Sequence, residues 1–363
     1  MKKWIFRVLL LAAPLSSAHA VTCAVDASAS AIITSVALQG GNITVGQDVP
    51  VGTILFRQYF KPSHGPVVLC DANPSDWSWE ARSLYSFHPK PLSAWNSGAW
   101  AGKVYESGVP GIGVVAWFSG NAFPYRRDGR SVPHNTAYKY SSSVEFDISF
   151  IKTGPIAPGV IRGQDLPTVV MDFIPDSGSA LRLLSVSFNG TLNVVSQTCT
   201  TPNPVVQLGS YNASQVFKSV GTTTSWTDAS LRLTNCPRFY GLMDSGQSNY
   251  GSDSPSDRGQ AGTPQANTLG LTLKPNTSII DATKGIIGLK NEANVATGVG
   301  IQLATNSAGA GTPAQFNSEM RYPTTNNGSG TFIMPLYARY IQTNSTVTPG
   351  HANATMTYTI NYY

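Results

Sequence analysis

Residues 350–363 read G-H-A-N-A-T-M-T-Y-T-I-N-Y-Y, and apolar and polar side chains alternate along them to the final position. Successive side chains of a strand point to opposite faces. Ala352, Ala354, Met356, Tyr358, Ile360 and Tyr362 therefore share one face, and Asn353, Thr355, Thr357, Thr359 and Asn361 share the other. The stretch reads as a half-buried strand. A hairpin would continue into a turn and a partner, whereas here the alternation runs to the last residue. An edge left unpaired beside a continuous apolar face would aggregate unless another chain covered it.

The rest of the chain is of the same kind. Gly and Pro are frequent, at 34 and 24 residues, charged side chains make up only 12%, and short alternating runs recur between turn residues. Examples are Ile43-Thr44-Val45, Val144-Glu145-Phe146-Asp147-Ile148 and Leu231-Arg232-Leu233. No amphipathic helical stripe lasts three turns. The chain reads as all-β, and short strands separated by Gly/Pro turns favour β-sandwiches.

Residues 1–20 carry a basic start (Lys2, Lys3, Arg7), an apolar middle and the small-residue ending Ala18-His19-Ala20, the pattern of an export signal cleaved after Ala20. No later apolar run is long enough to span a bilayer, so the mature chain is expected to be exported and soluble. Without the three signal cations, 21 basic side chains face 19 acidic ones, a net charge of +2. That balance gives no support to a nucleic-acid or membrane-surface role.

Four cysteines allow three connectivities. In an oxidising compartment two local loops, Cys23 with Cys70 and Cys199 with Cys236, are the simplest arrangement. One bridge per half and a length beyond that of most single cores predict two domains, residues 21–195 and 199–363, with a polar linker at 196–198. Aromatic usage changes across that linker: Trp77, Trp79, Trp95, Trp100 and Trp117 precede it and only Trp226 follows.

From Cys199 the sequence resembles a known family. The run C-T-T-P-N-P-V-V-Q-L-G, then Phe217, Gly221, Trp226 and L-R-L-T-N-C-P ending at Pro237, is similar to the opening of a pilin domain of bacterial chaperone–usher fimbriae. G-V-G-I-Q-L at 298–303, M-P-L-Y-A-R-Y at 334–340, Gly350 fourteen residues from the end and the penultimate Tyr362 resemble its later landmarks. The resemblance implies an immunoglobulin-like sandwich lacking its final strand. A periplasmic chaperone fills the resulting groove first, and a strand donated by a neighbouring fimbrial subunit replaces it after passage through an outer-membrane usher. Gly350, Ala352, Ala354, Met356, Tyr358, Ile360 and Tyr362 would line that groove. Because a whole domain precedes this half instead of a free donor extension, the resemblance implies a subunit at the fimbrial tip, where adhesins sit.

In the first half, residues 42–55 (N-I-T-V-G-Q-D-V-P-V-G-T-I-L), 108–114 (G-V-P-G-I-G-V) and 151–159 (I-K-T-G-P-I-A-P-G) resemble receptor-binding domains of two-domain tip adhesins of the type 1 and type 3 fimbrial kind. In the type 1 family a sugar pocket forms where the mature N-terminus, two residues before the first cysteine, meets polar residues after the second. The matching positions are Val21 and the run Asp71-Ala72-Asn73-Pro74-Ser75-Asp76, with Asp176 in Pro175-Asp176-Ser177-Gly178 as a third loop. These side chains can exchange hydrogen bonds with sugar hydroxyls. Here Val replaces the family's aromatic N-terminal residue and the acidic–amide order differs.

Most of the aromatic block Trp77, Trp79, Tyr85, Trp95, Trp100, Trp117, Phe123 and Tyr125 is expected in the core. Trp95 and Trp100, which flank Asn96-Ser97-Gly98, are expected to present rings for a ligand. Residues 125–130, Y-R-R-D-G-R, read as a compact basic turn able to meet acidic sugars or matrix proteins. Three uses of the first half stay open: a lectin for a host glycan, a binder of matrix protein, or a cap without a receptor.

Enzyme readings fare poorly. Asp-Ser-Gly occurs at Asp176 and Asp244, the tripeptide that aspartic proteases use in pairs, but it is also ordinary turn composition and would here be split between two domains. His64, His88, His134 and His351 lack metal-ligand spacing, and no G-x-S-x-G or Walker loop is present. The expectation is a binding protein without cofactor.

Overall fold

The computed structural model describes residues 20–244, 247–325 and 330–363. The expected export signal, apart from Ala20, lies outside the described residues. Among the described residues short strands dominate, with four helical residues at Ala213–Val216 and three single 3-10 turns.

The first half is a sandwich. One layer has five strands in the order Tyr125–Asp128, Trp79–Phe87, Thr168–Pro175, Leu181–Asn189 and Ile32–Ala37. The facing layer contains Ile54–Lys61, Phe146–Lys152 and Ile112–Phe118 side by side. Between them Phe56, Phe60, Phe123, Phe146, Phe150, Phe173 and Phe188 are buried, which is the payload an alternating aromatic strand delivers to one face. Phe146–Lys152 is buried at every position because its outer face is covered as well. There Asp147 pairs with the Arg57 guanidinium at 2.7 and 3.1 Å, the Trp117 indole donates to Ser149 Oγ at 2.9 Å, and Ile151 joins Val104, Val115 and Ala122 under Trp95, Trp100 and Trp117. Burial pushes the Asp147 carboxyl up, and the Arg57 bond offsets only part of that rise.

The second half has its own core around Leu231, Leu233, Leu269, Leu271, Leu273, Ile301, Leu303 and Met334. One layer runs Thr227–Asp228, Tyr337–Gln342, Val299–Ala304, Ile286–Ile287, Ile279–Asp281; the other includes Glu319–Pro323, Thr268–Pro275 and Met356–Tyr362. Both expected disulfides, Cys23–Cys70 and Cys199–Cys236, are formed.

One expectation changes. Tyr125–Asp128 is an edge strand paired with Trp79–Phe87, not a basic turn, and Arg126 is neutralised by Glu80 and Asp128 at 2.6 and 2.7 Å. The two halves also interlock. Tyr250–Ser252, far beyond the linker in sequence, lies parallel to Ile54–Lys61 with Tyr250 opposite Tyr59 and Ser252 opposite Lys61. Met243 enters the first core, its N–H donating to Leu55 O at 3.1 Å and its carbonyl accepting from Arg57 N at 2.6 Å. The physical reason is the edge of Ile54–Lys61, whose backbone groups need a partner that the first half does not supply.

Candidate functional site

Met356–Tyr362 pairs antiparallel with Thr268–Pro275 and, among the described residues, has no second neighbour in its sheet. The register fixes which backbone groups are open. Tyr363 and Thr268 exchange both hydrogen bonds, at 2.8 and 3.0 Å, so 363, 361, 359 and 357 turn their N–H and C=O toward that neighbour. The alternate residues Met356, Tyr358 and Ile360 turn theirs outward, and their side chains stay half-buried against the core. The polar face, Asn353, Thr355, Thr357 and Thr359, is exposed. Alternation in the sequence has become an open edge above an incompletely covered apolar face.

Across the gap runs the segment after Cys199, irregular from 201 to 212. Side-chain tips make its contacts with the terminal strand: the Tyr362 hydroxyl accepts from Cys199 N–H at 3.1 Å, and the Tyr358 hydroxyl donates to Pro202 O. Among the described residues no backbone hydrogen bond joins the two. A tyrosine's length separates two chains that, in a ladder, would lie about 4.8 Å apart.

The predicted groove residues divide. Met356, Tyr358 and Ile360 line the gap, with Ala354 packed against the same core. Ala352 is held by its carbonyl, which accepts from the Tyr340 hydroxyl at 3.1 Å, before the regular strand begins. Gly350 serves a close approach, since a Cβ there would lie 2.4 Å from Asn294 O. Tyr362 is buried and its outer backbone edge is already occupied: its N–H donates to Asp48 Oδ2 at 2.8 Å and its carbonyl accepts from Asp48 N at 3.1 Å.

The Gly46-Gln47-Asp48 loop that caps Tyr362 was legible only as a family-like motif. A Cβ at Gly46 would sit 1.9 Å from Tyr362 O, Gln47 Nε2 donates to Ser196 Oγ at 2.8 Å, and buried Lys152 donates to Gln47 O at 2.6 Å. Burial pulls the Lys152 ammonium down, and nearby Asp48 opposes that shift. At a sequence separation of 314 between Asp48 and Tyr362, no local sequence signal could announce the contact.

The expected sugar loops gather at one end of the first half. Val21 N donates to Ser177 O at 3.1 Å and Asp71 N to Thr22 O at 2.9 Å, bringing the three loops together. Their side chains are used differently from the expectation. Val21 and Asn73 are buried, with Asn73 Oδ1 accepting from Ser75 N at 2.9 Å. Asp76 accepts from His134 N–H at 2.7 Å, a bond that with the His134 ring holds its carboxyl below the usual range. Asp176 accepts from Ser78 N and Oγ at 2.7 and 2.9 Å, whereas the exposed Asp71 carboxylate makes no such contact among the described residues. Of the second Asp-Ser-Gly, Ser245 and Gly246 lie outside the described residues.

Elsewhere, Trp95 and Trp100 flank an open concavity of about 410 Å³ with Val51, Gly52, Ser97 and Gly98 on its walls. Trp100 stacks on Trp117 at 5.4 Å and donates to Gly120 O, so its ring is fixed. Among the described residues no helix is long and apolar enough to cross a membrane.

Comparison with known proteins places the second half in a class. Residues 186–363 match the family described as fimbrial protein. No curated protein matches the chain. Among solved structures the chain is similar to the CupB6 tip adhesin from Pseudomonas aeruginosa, at 14% identity over 94% of each chain with a TM-score of 0.36. It is also similar to the receptor-binding domain of the MrkD1P adhesin of Klebsiella pneumoniae, at 20% identity over 50% of this chain and 98% of that one, TM-score 0.31. The P pilus rod subunit PapA shares 19% identity over 46% of this chain and all of its own, TM-score 0.31.

Proposed function

We propose that this protein is a fimbrial tip adhesin. Residues 21–195 form the receptor-binding part, 196–198 the linker, and 199–363 a pilin domain that accepts a strand from a neighbouring subunit after a periplasmic chaperone has held the same groove. The observation that carries the reading is the terminal strand, whose Met356, Tyr358 and Ile360 present outward backbone groups above a half-covered apolar face. Strand addition supplies what that edge lacks: main-chain bonds along the edge and alternate apolar side chains into the gap. Passage through an outer-membrane usher would place the protein at the fimbrial tip, where the first half engages a host surface glycan. Its role is binding, not catalysis.

The test is co-expression of the full chain with its cognate periplasmic chaperone and purification through a tag on the chaperone. The native chain should co-purify at one to one, and Ile360→Asp, which puts a charge on the apolar face, should not. Equal recovery of both chains would overturn the assignment of this edge.

A further inference from the structure

The sandwich contains a second recess, of about 200 Å³, which takes only Tyr125 and Arg127 from the 125–130 run singled out in the sequence. Its floor is apolar, made by buried Val144, Met171 and Leu183. Tyr125 and Phe118 stand on its walls, and Ser119, Asn121, Ser142 and Ser143 supply hydroxyl and amide groups from two loops. Four charged side chains reach it, and two of them are spent. Arg82 is paired with Glu80, and Asp172 with Arg182. The other two make no ion pair among the described residues: Arg127 donates to the Tyr140 hydroxyl at 2.8 Å, and Glu145 accepts from the Tyr59 hydroxyl at 2.5 Å.

We propose that this recess binds one neutral monosaccharide unit at the end of a glycan, with Arg127 as hydroxyl-directed donor and Glu145 as hydroxyl-directed acceptor. The inference deepens the adhesin reading and rests on it. The size argues for a single ring, since pockets for larger ligands run to about 300–1,000 Å³. The composition argues for a sugar: an apolar floor and aromatic walls suit the C–H face of a pyranose, and clustered hydroxyl, amide, guanidinium and carboxylate groups suit its hydroxyls. The charge argues for a neutral one. Arg127 and Glu145 balance, so an anionic sugar would meet the Glu145 carboxylate as well as the guanidinium. The concavity beside Trp95 and Trp100 offers rings but no charged group on its walls.

The experiment applies the full exported chain to an array of glycans ending in glucose, galactose, mannose, sialic acid or glucuronic acid. Any hit is then titrated with the corresponding methyl glycoside. Native protein should bind a neutral-ended class. Arg127→Gln and Glu145→Gln, each checked for native circular dichroism, should each lose about tenfold or more in affinity, the scale of a hydrogen bond to a charged group. Asp71→Ala and Trp95→Ala should leave it unchanged. Binding that survives both pocket variants, binding lost only in Asp71→Ala or Trp95→Ala, a preference for acidic termini, or silence from folded protein would each overturn the assignment. Chaperone capture, read separately, would still decide the fimbrial reading.

Discussion

The sharpest stability prediction concerns Met243, a residue of the second half that is only 4% exposed because it sits in the core of the first. Its sulfur lies 2.2 Å from where a Cβ on Gly40 would stand, and Gly40 holds a φ of +97°, so the slot is shaped for a long side chain meeting bare backbone. Met243→Ala removes the buried thioether and leaves a void, a change that costs about 2–5 kcal/mol in well-packed cores. With a urea slope of about 2 kcal/mol/M, the midpoint should fall by about 1–2.5 M. Tryptophan emission is the right assay, because five of the six tryptophans after the export signal lie between residues 77 and 117 and report the first half. Val205→Ala, at a side chain 83% exposed, is the control and should stay within about 0.5 kcal/mol of the native chain. A Met243→Ala midpoint equal to the control's would refute the interlocked core. So would residues 21–198, which lack both Met243 and the strand beside Ile54–Lys61, melting as late as the full chain.

Three further outcomes follow from named contacts. Reducing both disulfides, which close loops of 47 and 37 residues, should destabilise each half by up to about 4 kcal/mol, read as lower melting temperatures with reductant than without. Glu319 ties down the chain end by accepting from Asn361 and Tyr363 at 2.8 Å each; burial raises its pKa, but these bonds and Arg321 outweigh burial and leave it lowered. A lowered folded-state pKa stabilises above the unfolded value near 4.5 and is lost as pH falls through the folded one, so the protection factors of the amides at residues 361–363 should drop as pH falls below 4.5, and Glu319→Gln should abolish that dependence. Gly46→Val should separate Asp48 from Tyr362, since its side chain would meet Tyr362 O; unchanged exchange protection at the Tyr362 amide would show that the loop does not cap the strand.

What the sequence disclosed depended on the range of each interaction. The terminal alternation was readable because a strand's two faces are set by neighbouring residues, and the exposed Thr357 and Thr359 lie opposite half-buried Tyr358 and Ile360. The disulfides were readable because each closes a loop within one half. The strand Tyr250–Ser252 was not: three residues, one a glycine, carry no periodic signal, and their value lies in the edge they meet almost two hundred positions earlier. The polar loops after Cys70 and Pro175 lie beside Val21, but Asn73, Asp76 and Asp176 hold loops together, because a side chain suited to a sugar hydroxyl is equally suited to a backbone N–H. Of the Arg127 recess only the 125–130 run was legible, and as a basic turn, because the walls come from six separate stretches of chain.

The capped end of the terminal strand sets the size of what the open edge can take. Asp48 holds both outward backbone groups of Tyr362, so an added strand meets Met356, Tyr358 and Ile360 alone. Three alternate residues span about 14 Å from first to last at some 3.4 Å per residue. Within that length each outward residue offers one N–H and one C=O, and each gap between the inward side chains takes one apolar side chain of the incoming strand. Register follows from the same geometry, since a slip by one residue would turn the incoming apolar set to solvent. The aromatic at 362 therefore has a different task from the apolar residues before it. It joins the end of the groove to the Gly46–Asp48 loop and, through Lys152 and Ser196 around that loop, to the first sandwich. On the proposed function, the strand that would receive a neighbour is the one fastened to the domain that would meet the receptor.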